Sequence, residues 1–149
     1  MRFAIPLALS LALLAACGGD GPAPQAVAFQ SMQEDFTRSF PEGTYVFRND
    51  TEMASAWSAA PQEFGEAKDM PVVDFAQDTI VGVSLGVGIR CNIPVITQVS
   101  SHDGVVVVSY KTNLDTGTTT LACLHRWRLT DFARIPATRD PVVFERVSG

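Results

Sequence analysis

Three residues in the C-terminal part of the chain, Asp115-Thr116-Gly117, form the tripeptide that carries the catalytic aspartate in aspartic proteases. Such an enzyme needs two aspartates that share one proton, held by two symmetric lobes or by two subunits. In single-lobe enzymes a flap and a glycine-containing hydrophobic segment follow the tripeptide. No glycine occurs here between Gly117 and Gly149. Asp-Thr-Gly among threonines is typical of a turn between strands, so the sequence predicts no catalytic residue at this position.

The remaining residue types that could do chemistry also lack the required spacing. His102 and His125 have no cysteine or second histidine at a distance typical of zinc ligands. The glycines of residues 82–88 are followed by Pro94 and a β-branched segment, whereas a phosphate-binding loop must open a helix. These glycines predict a bend or bulge in a sheet instead. The sequence therefore predicts no metal, no cofactor and no enzymatic activity.

The N-terminal residues predict the compartment. A short basic segment, Met1-Arg2, precedes an apolar run from Phe3 to Leu14 that is too short to span a bilayer. The following Leu14-Ala15-Ala16-Cys17 resembles a bacterial lipobox, which implies a signal peptide over residues 1–16 and a lipid attached to Cys17. The alternative is an ordinary signal peptide cleaved nearby, with no role for Cys17.

The segment after Cys17 is rich in glycine and proline, "GGDGPAPQA", and predicts a flexible tether over residues 17–42. The folded domain is then expected over residues 43–149. Glycine at position 18 favours, by resemblance to known sorting signals, an outer-membrane lipoprotein that faces the periplasm or the cell surface. A net charge of −5 gives no electrostatic basis for nucleic-acid binding.

Two cysteines remain after Cys17, namely Cys91 and Cys123. In an oxidising compartment an even pair most simply forms a disulfide. Closing such a loop would stabilise the fold by roughly 3–4 kcal/mol in the chain-entropy description. Two separate buried thiols are the alternative.

Hydrophobic periodicity predicts a mainly β, β-rich α+β domain, an antiparallel sheet folded on itself as a sandwich or partly open barrel, with one short helix. The helix is expected from Asp50 to about Ala60, with Asn49 and Glu52 as a capping box. Met53 and Trp57, four residues apart, would face the core. Strands are expected over residues 44–48, 79–85, 95–99, 105–110, 118–129 and 142–147, with an Asp-Gly hairpin turn at residues 103–104.

The order of motifs in residues 43–147 resembles the C-terminal domain family named for PrcB, the accessory subunit of a bacterial surface protease complex. The matching pieces are "YVFR" before the helix, "VVDF" at residues 72–75, "TIVGVSLGVGIR" at residues 79–90, "VITQV" and "RIPATRDPVVF". This chain departs from the family pattern after Gly86, where "GIRCNIP" replaces a glycine-rich loop with an aromatic residue. It also has "LACLHRW" in place of a proline-rich run. The resemblance implies an envelope domain that supports another protein, and it implies no catalytic residues.

The loop after Leu85 is the predicted partner-binding surface, because two isoleucines and an arginine on a bend suit an interface. Its predicted contact residues are Gly86, Gly88, Ile89, Arg90 and Ile93, and the alternative is that the isoleucines only cover the end of the sheet. We therefore expect a non-enzymatic lipoprotein that binds a protein partner, with a surface or periplasmic peptidase as the partner implied by the resemblance. A small hydrolase or peptidase, a small-ligand binder and a structural envelope protein are the alternatives.

Overall fold

A computed structural model describes residues 23–63, 65, 68–89, 92–112 and 126–148, without the side chains of Ile89, Arg126 and Trp127. Over these residues the chain forms eight strands and one helix. In chain order they are β1 (Gln25–Ala26), β2 (Gln30–Ser31), β3 (Gly43–Phe47), α1 (Asp50–Ala59), β4 (Asp78–Ile89), β5 (Pro94–His102), β6 (Val105–Thr112), β7 (Arg126–Pro136) and β8 (Val142–Arg146).

The strands form two four-stranded sheets, which confirms the predicted β-rich sandwich. Sheet A has the strand order β1-β5-β6-β8, and sheet B has the order β2-β7-β4-β3. Neighbouring strands are antiparallel except β6 and β8, which pair in parallel with Val106 opposite Val142 and Tyr110 opposite Arg146. The sheets do not close into a barrel.

The core between the two sheets consists of short β-branched side chains. Alternate residues of a strand point to opposite faces, so every second residue of β4, β6 and β7 enters this layer. Its buried members are Val81, Val83, Ile96, Val99, Val106, Val108, Ala133 and Ile135. Each fully buried side chain of this size contributes about 1.5–3 kcal/mol to stability.

A second, aromatic core lies on the other face of sheet B. Helix α1 and the segment from Met32 to Phe40 cover this face. The ring of Phe36 stacks on that of Phe132 of β7 with a centroid separation of 4.0 Å and meets the edge of Trp57 of the helix at 5.8 Å. The molecule therefore has three layers: sheet A, sheet B, and the helix with its preceding segment.

The predicted tether boundary at residue 42 is wrong for residues 25–42. β1 and β2 pair with β5 and β7 respectively, and Phe36 and Phe40 are 0% and 1% exposed. The glycine- and proline-rich composition ends before these residues, and aromatic side chains that cover a sheet face cannot belong to a flexible segment.

Local signals at the helix and the hairpin are confirmed. The side chain of Asn49 accepts a hydrogen bond from the amide of Glu52 at 2.9 Å. The Glu52 carboxylate accepts from the amide of Arg48 at 2.8 Å rather than from that of Asn49. Asp103 and Gly104 have φ values of +49° and +72°, as the tight turn between β5 and β6 requires. The strand predicted to end at Leu129 continues to Pro136 as β7.

Candidate protein-binding surface

The segment predicted as a partner-binding loop is largely strand. Gly86, Gly88 and Ile89 lie in β4, which pairs with β7 on both sides of a register shift between Ser84 and Val87. The bulge predicted from the glycines is therefore present. Gly86 has a φ of +75°, a backbone conformation that favours glycine.

Hydrogen bonds of one buried serine fix this bulge. The Ser84 hydroxyl donates to the carbonyl of Phe40 at 2.7 Å and accepts from the amide of Gly86 at 3.0 Å. A side chain at Gly88 would meet the Leu129 side chain, with the first added carbon 2.7 Å from Cδ1. Gly86 and Gly88 thus serve the packing of sheet B, and the expectation of a loop at these positions is wrong.

The other predicted site residues are only partly described. Ile93 is half-buried directly before β5. Arg90 lies outside the described residues, as do Cys17, Cys91, Cys123 and Asp115, so the lipid anchor, the disulfide and the non-catalytic role of Asp115 stay predictions.

A buried carboxylate, that of Asp131 in β7, was not predicted from the sequence. Asp131 is 5% exposed, lies opposite Val83 and points between the sheets. Its Oδ2 accepts a hydrogen bond from the amide of Ile96 in β5 at 2.7 Å, which links sheet B to sheet A. Oδ1 accepts no hydrogen bond of good geometry within the described part of the chain.

Burial raises the pKa of Asp131 to about 6 from 3.8, because a carboxylate loses hydration between the sheets. The amides of Ile96 and Phe132 oppose this rise only in part. The sequence signal for it is a single polar residue at the alternate positions Leu129, Asp131, Ala133 and Ile135 of β7. Through this backbone hydrogen bond the carboxylate of Asp131 links β7 to β5.

Among the described residues no three His, Cys, Asp or Glu side chains lie close enough to hold a metal ion. His102 and Asp103 of the hairpin form an exposed pair, with Nε2 3.1 Å from Oδ2.

The outer side of sheet A carries valines, and we call this surface the valine face. Alternation along the strands places Val95, Val105, Val107 and Val143 there, with Val147 just beyond β8. Val143 is 42% exposed and Val147 36%. Val107 lies opposite Val143 on one side and Ser100 on the other, so the apolar side chains of β6 and β8 are neighbours.

Polar side chains border the valine face. Glu145 lies opposite Ser109, and Lys111 lies opposite Val95. An apolar centre with a polar rim is the usual composition of a protein interface. An antiparallel sheet that packs on a core with one face ordinarily carries polar side chains on its solvent face. The valines on the outer side of sheet A are therefore not required by the fold.

Comparison of the whole chain with protein families, with curated proteins and with solved structures finds no match. The likeness to the PrcB-like family therefore rests on the sequence motifs alone.

Proposed function

We propose that this chain is a non-enzymatic lipoprotein of the bacterial envelope whose domain binds another protein through the valine face. The observation that carries the proposal is the exposure of Val143 and Val147 beside Val107 on one side of sheet A. Covering such side chains with a partner gains about 25 cal/mol for each Å² of apolar surface removed from water. Apolar patches with polar rims mark interaction sites on soluble domains.

The anchor in this proposal is the lipid on Cys17. No helix in the described part of the chain is long and apolar enough to cross a membrane. With β1 beginning at Gln25, a short segment joins Cys17 to sheet A. A partner would then be held near the membrane surface. A peptidase is the partner that the PrcB-like motifs suggest, with this chain as its accessory subunit.

A charge placed on the valine face tests the proposal. Val143→Lys puts an ammonium group where a partner would remove water, and burying an unpaired charge is costly. Recovery of the partner with the protein from solubilised membranes, measured by quantitative mass spectrometry, is expected to fall about tenfold or more. Ser58→Lys is the matched control, because Ser58 is exposed on helix α1, on the opposite side of the molecule.

Two outcomes decide the matter, provided that both variants keep the wild-type melting temperature. Loss of the partner in Val143→Lys and its retention in Ser58→Lys support the valine face. Equal recovery of the partner with both variants would overturn it.

A further inference from the structure

A cleft of about 360 Å³ lies at one end of sheet B. Three strand ends meet there: β3 ends just before Arg48, β4 begins at Asp78, and β7 ends at Pro136, which lies opposite Asp78. The cleft is within the size range of small-ligand sites, about 300–1,000 Å³. Arg48 and Arg139 both line it, and we call it the arginine cleft.

The guanidinium group of Arg48 is held in place by the backbone. Its Nε donates to the carbonyl of Thr138 at 3.1 Å, and one terminal nitrogen, Nη2, donates to the carbonyl of Asp140 at 2.7 Å. The other terminal nitrogen, Nη1, donates to no residue that the structure describes. The guanidinium group of Arg48 is therefore fixed and still has N–H donors on Nη1. Binding an acceptor there would cost little side-chain entropy of Arg48.

Arg139 adds a second cation on the loop between β7 and β8. It is exposed, and no described carboxylate oxygen lies within 4.0 Å of its guanidinium group or of that of Arg48. The Thr138 hydroxyl accepts from the amide of Asp140 at 3.1 Å, which leaves its own proton to donate. Two arginines without a carboxylate partner among the described residues, and a hydroxyl donor, line one cleft of a chain whose net charge is −5.

Thr79 also lines the cleft, and its hydroxyl accepts from the amide of Thr138 at 3.1 Å. The other lining residues are apolar. Phe75 is half-buried and packs against the aromatic core, and Ala76 and Ala137 complete this wall. A ligand that fits has an anionic, acceptor-rich group for the arginines and an apolar group for Phe75. A small inorganic anion would leave the apolar wall uncovered.

We propose that the arginine cleft binds the C-terminal carboxylate of a peptide chain, with an apolar last side chain against Phe75. A carboxylate matches the planar fork of a guanidinium group, and capture of chain termini is a recurring mode of peptide recognition. This inference rests on the proposed function, because it identifies a part of the protein partner. The valine face would hold the folded surface of the partner, and the arginine cleft would hold its end.

Calorimetric titration of the purified protein tests the inference. The probes are acetyl-Ala-Ala-Xaa peptides, with Ala, Val, Leu or Phe as the last residue, as free acids and as C-terminal amides. Inorganic phosphate is a separate probe. The free acids with the larger last residues are expected to bind, and their amides are not. Arg139→Gln is expected to weaken binding about tenfold, as for the loss of one charge-assisted hydrogen bond.

Lys68→Gln is the matched control, because it removes the same charge at an exposed position that does not line the cleft, and it is expected to leave the affinity unchanged. Absence of binding, equal binding of acids and amides, or equal weakening by Lys68→Gln would overturn the inference. Binding of phosphate in place of the peptides would overturn the assignment to a chain terminus. The Val143→Lys experiment reports on the proposed function through a distant surface, so the two proposals fail separately.

Discussion

Asp131 is the residue whose environment makes the clearest prediction. Its carboxyl group has a pKa of about 6 in the folded chain and 3.8 as the ordinary value. Between these two values the folded state binds more protons than the unfolded state. The contribution of Asp131 to the free energy of unfolding therefore falls as the pH rises from about 4 to about 6, and stays low above that.

Replacing Asp131 with asparagine removes this titration and keeps an oxygen that can accept from the amide of Ile96. The stability of Asp131→Asn relative to wild type is therefore expected to be greater at pH 7.5 than at pH 4, by at most about 3 kcal/mol. Urea unfolding of both proteins at the two pH values measures this difference. Asp69→Asn, at an exposed position, is the control. The same relative stability at both pH values would contradict the buried, unpaired state of Asp131.

Two glycines of β4 differ in what an added methyl group would meet. At Gly82 the methyl carbon would overlap the ring of Phe132 and lie 2.8 Å from its Cγ. That ring is stacked against Phe36 and cannot move freely. At Gly88 the methyl would meet the end of the flexible Leu129 side chain.

Gly82→Ala is therefore expected to lower the free energy of unfolding by about 1–3 kcal/mol or more, and Gly88→Ala by clearly less. Thermal and urea unfolding of the two variants measure the contrast. Equal losses would show that the ring of Phe132 has room to shift.

At the level of secondary structure, the features that depend on residues close in sequence were predicted correctly. Three such features are present in the structure. They are the Asp103-Gly104 turn, the Asn49 cap and the Met53/Trp57 face of the helix, each of which depends on residues close in sequence. Residues 79–85 of β4 were predicted as a strand because a β-branched run is recognised without any distant partner.

The missed features depend on residues that are distant in sequence. Met32, Phe36 and Phe40 recur at every fourth position, which could have been noticed, but their role arises from Phe132 on β7. The parallel pairing of β8 with β6 also follows from the path of the whole chain, not from a pattern in "VVFER". The same holds for the arginine cleft, since Arg48 and Arg139 meet only after β3, β4 and β7 align.

Truncation tests whether the segment before β3 is part of the fold. A chain of residues 43–149 would lose Phe36 and Phe40 and expose the aromatic face of sheet B, and removal of one large core aromatic side chain alone costs about 3–5 kcal/mol. A chain of residues 23–149 is expected to unfold cooperatively on heating, followed by circular dichroism. The shorter chain is expected to show no cooperative transition. A cooperative transition of the shorter chain at the same temperature would instead support the prediction that residues 17–42 form a flexible tether.

The three layers give the two outer sides of the molecule different surfaces. Helix α1 and the segment before β3 close one side of sheet B, while Val143 and Val147 are exposed on the outer side of sheet A. The lipid predicted on Cys17 precedes β1, an edge strand of sheet A. A partner on the valine face and a peptide end in the arginine cleft would therefore contact different sheets of one anchored domain.

Site-specific photo-crosslinking in living cells tests whether a partner protein binds the valine face. A photoreactive amino acid replaces Val107, in the middle of the valine face, or Ser58, on the opposite side of the molecule. A discrete crosslinked protein is expected from position 107, absent from position 58 and lost when Val143→Lys is added. No adduct from position 107, or the same adduct from both positions, would contradict binding through the valine face.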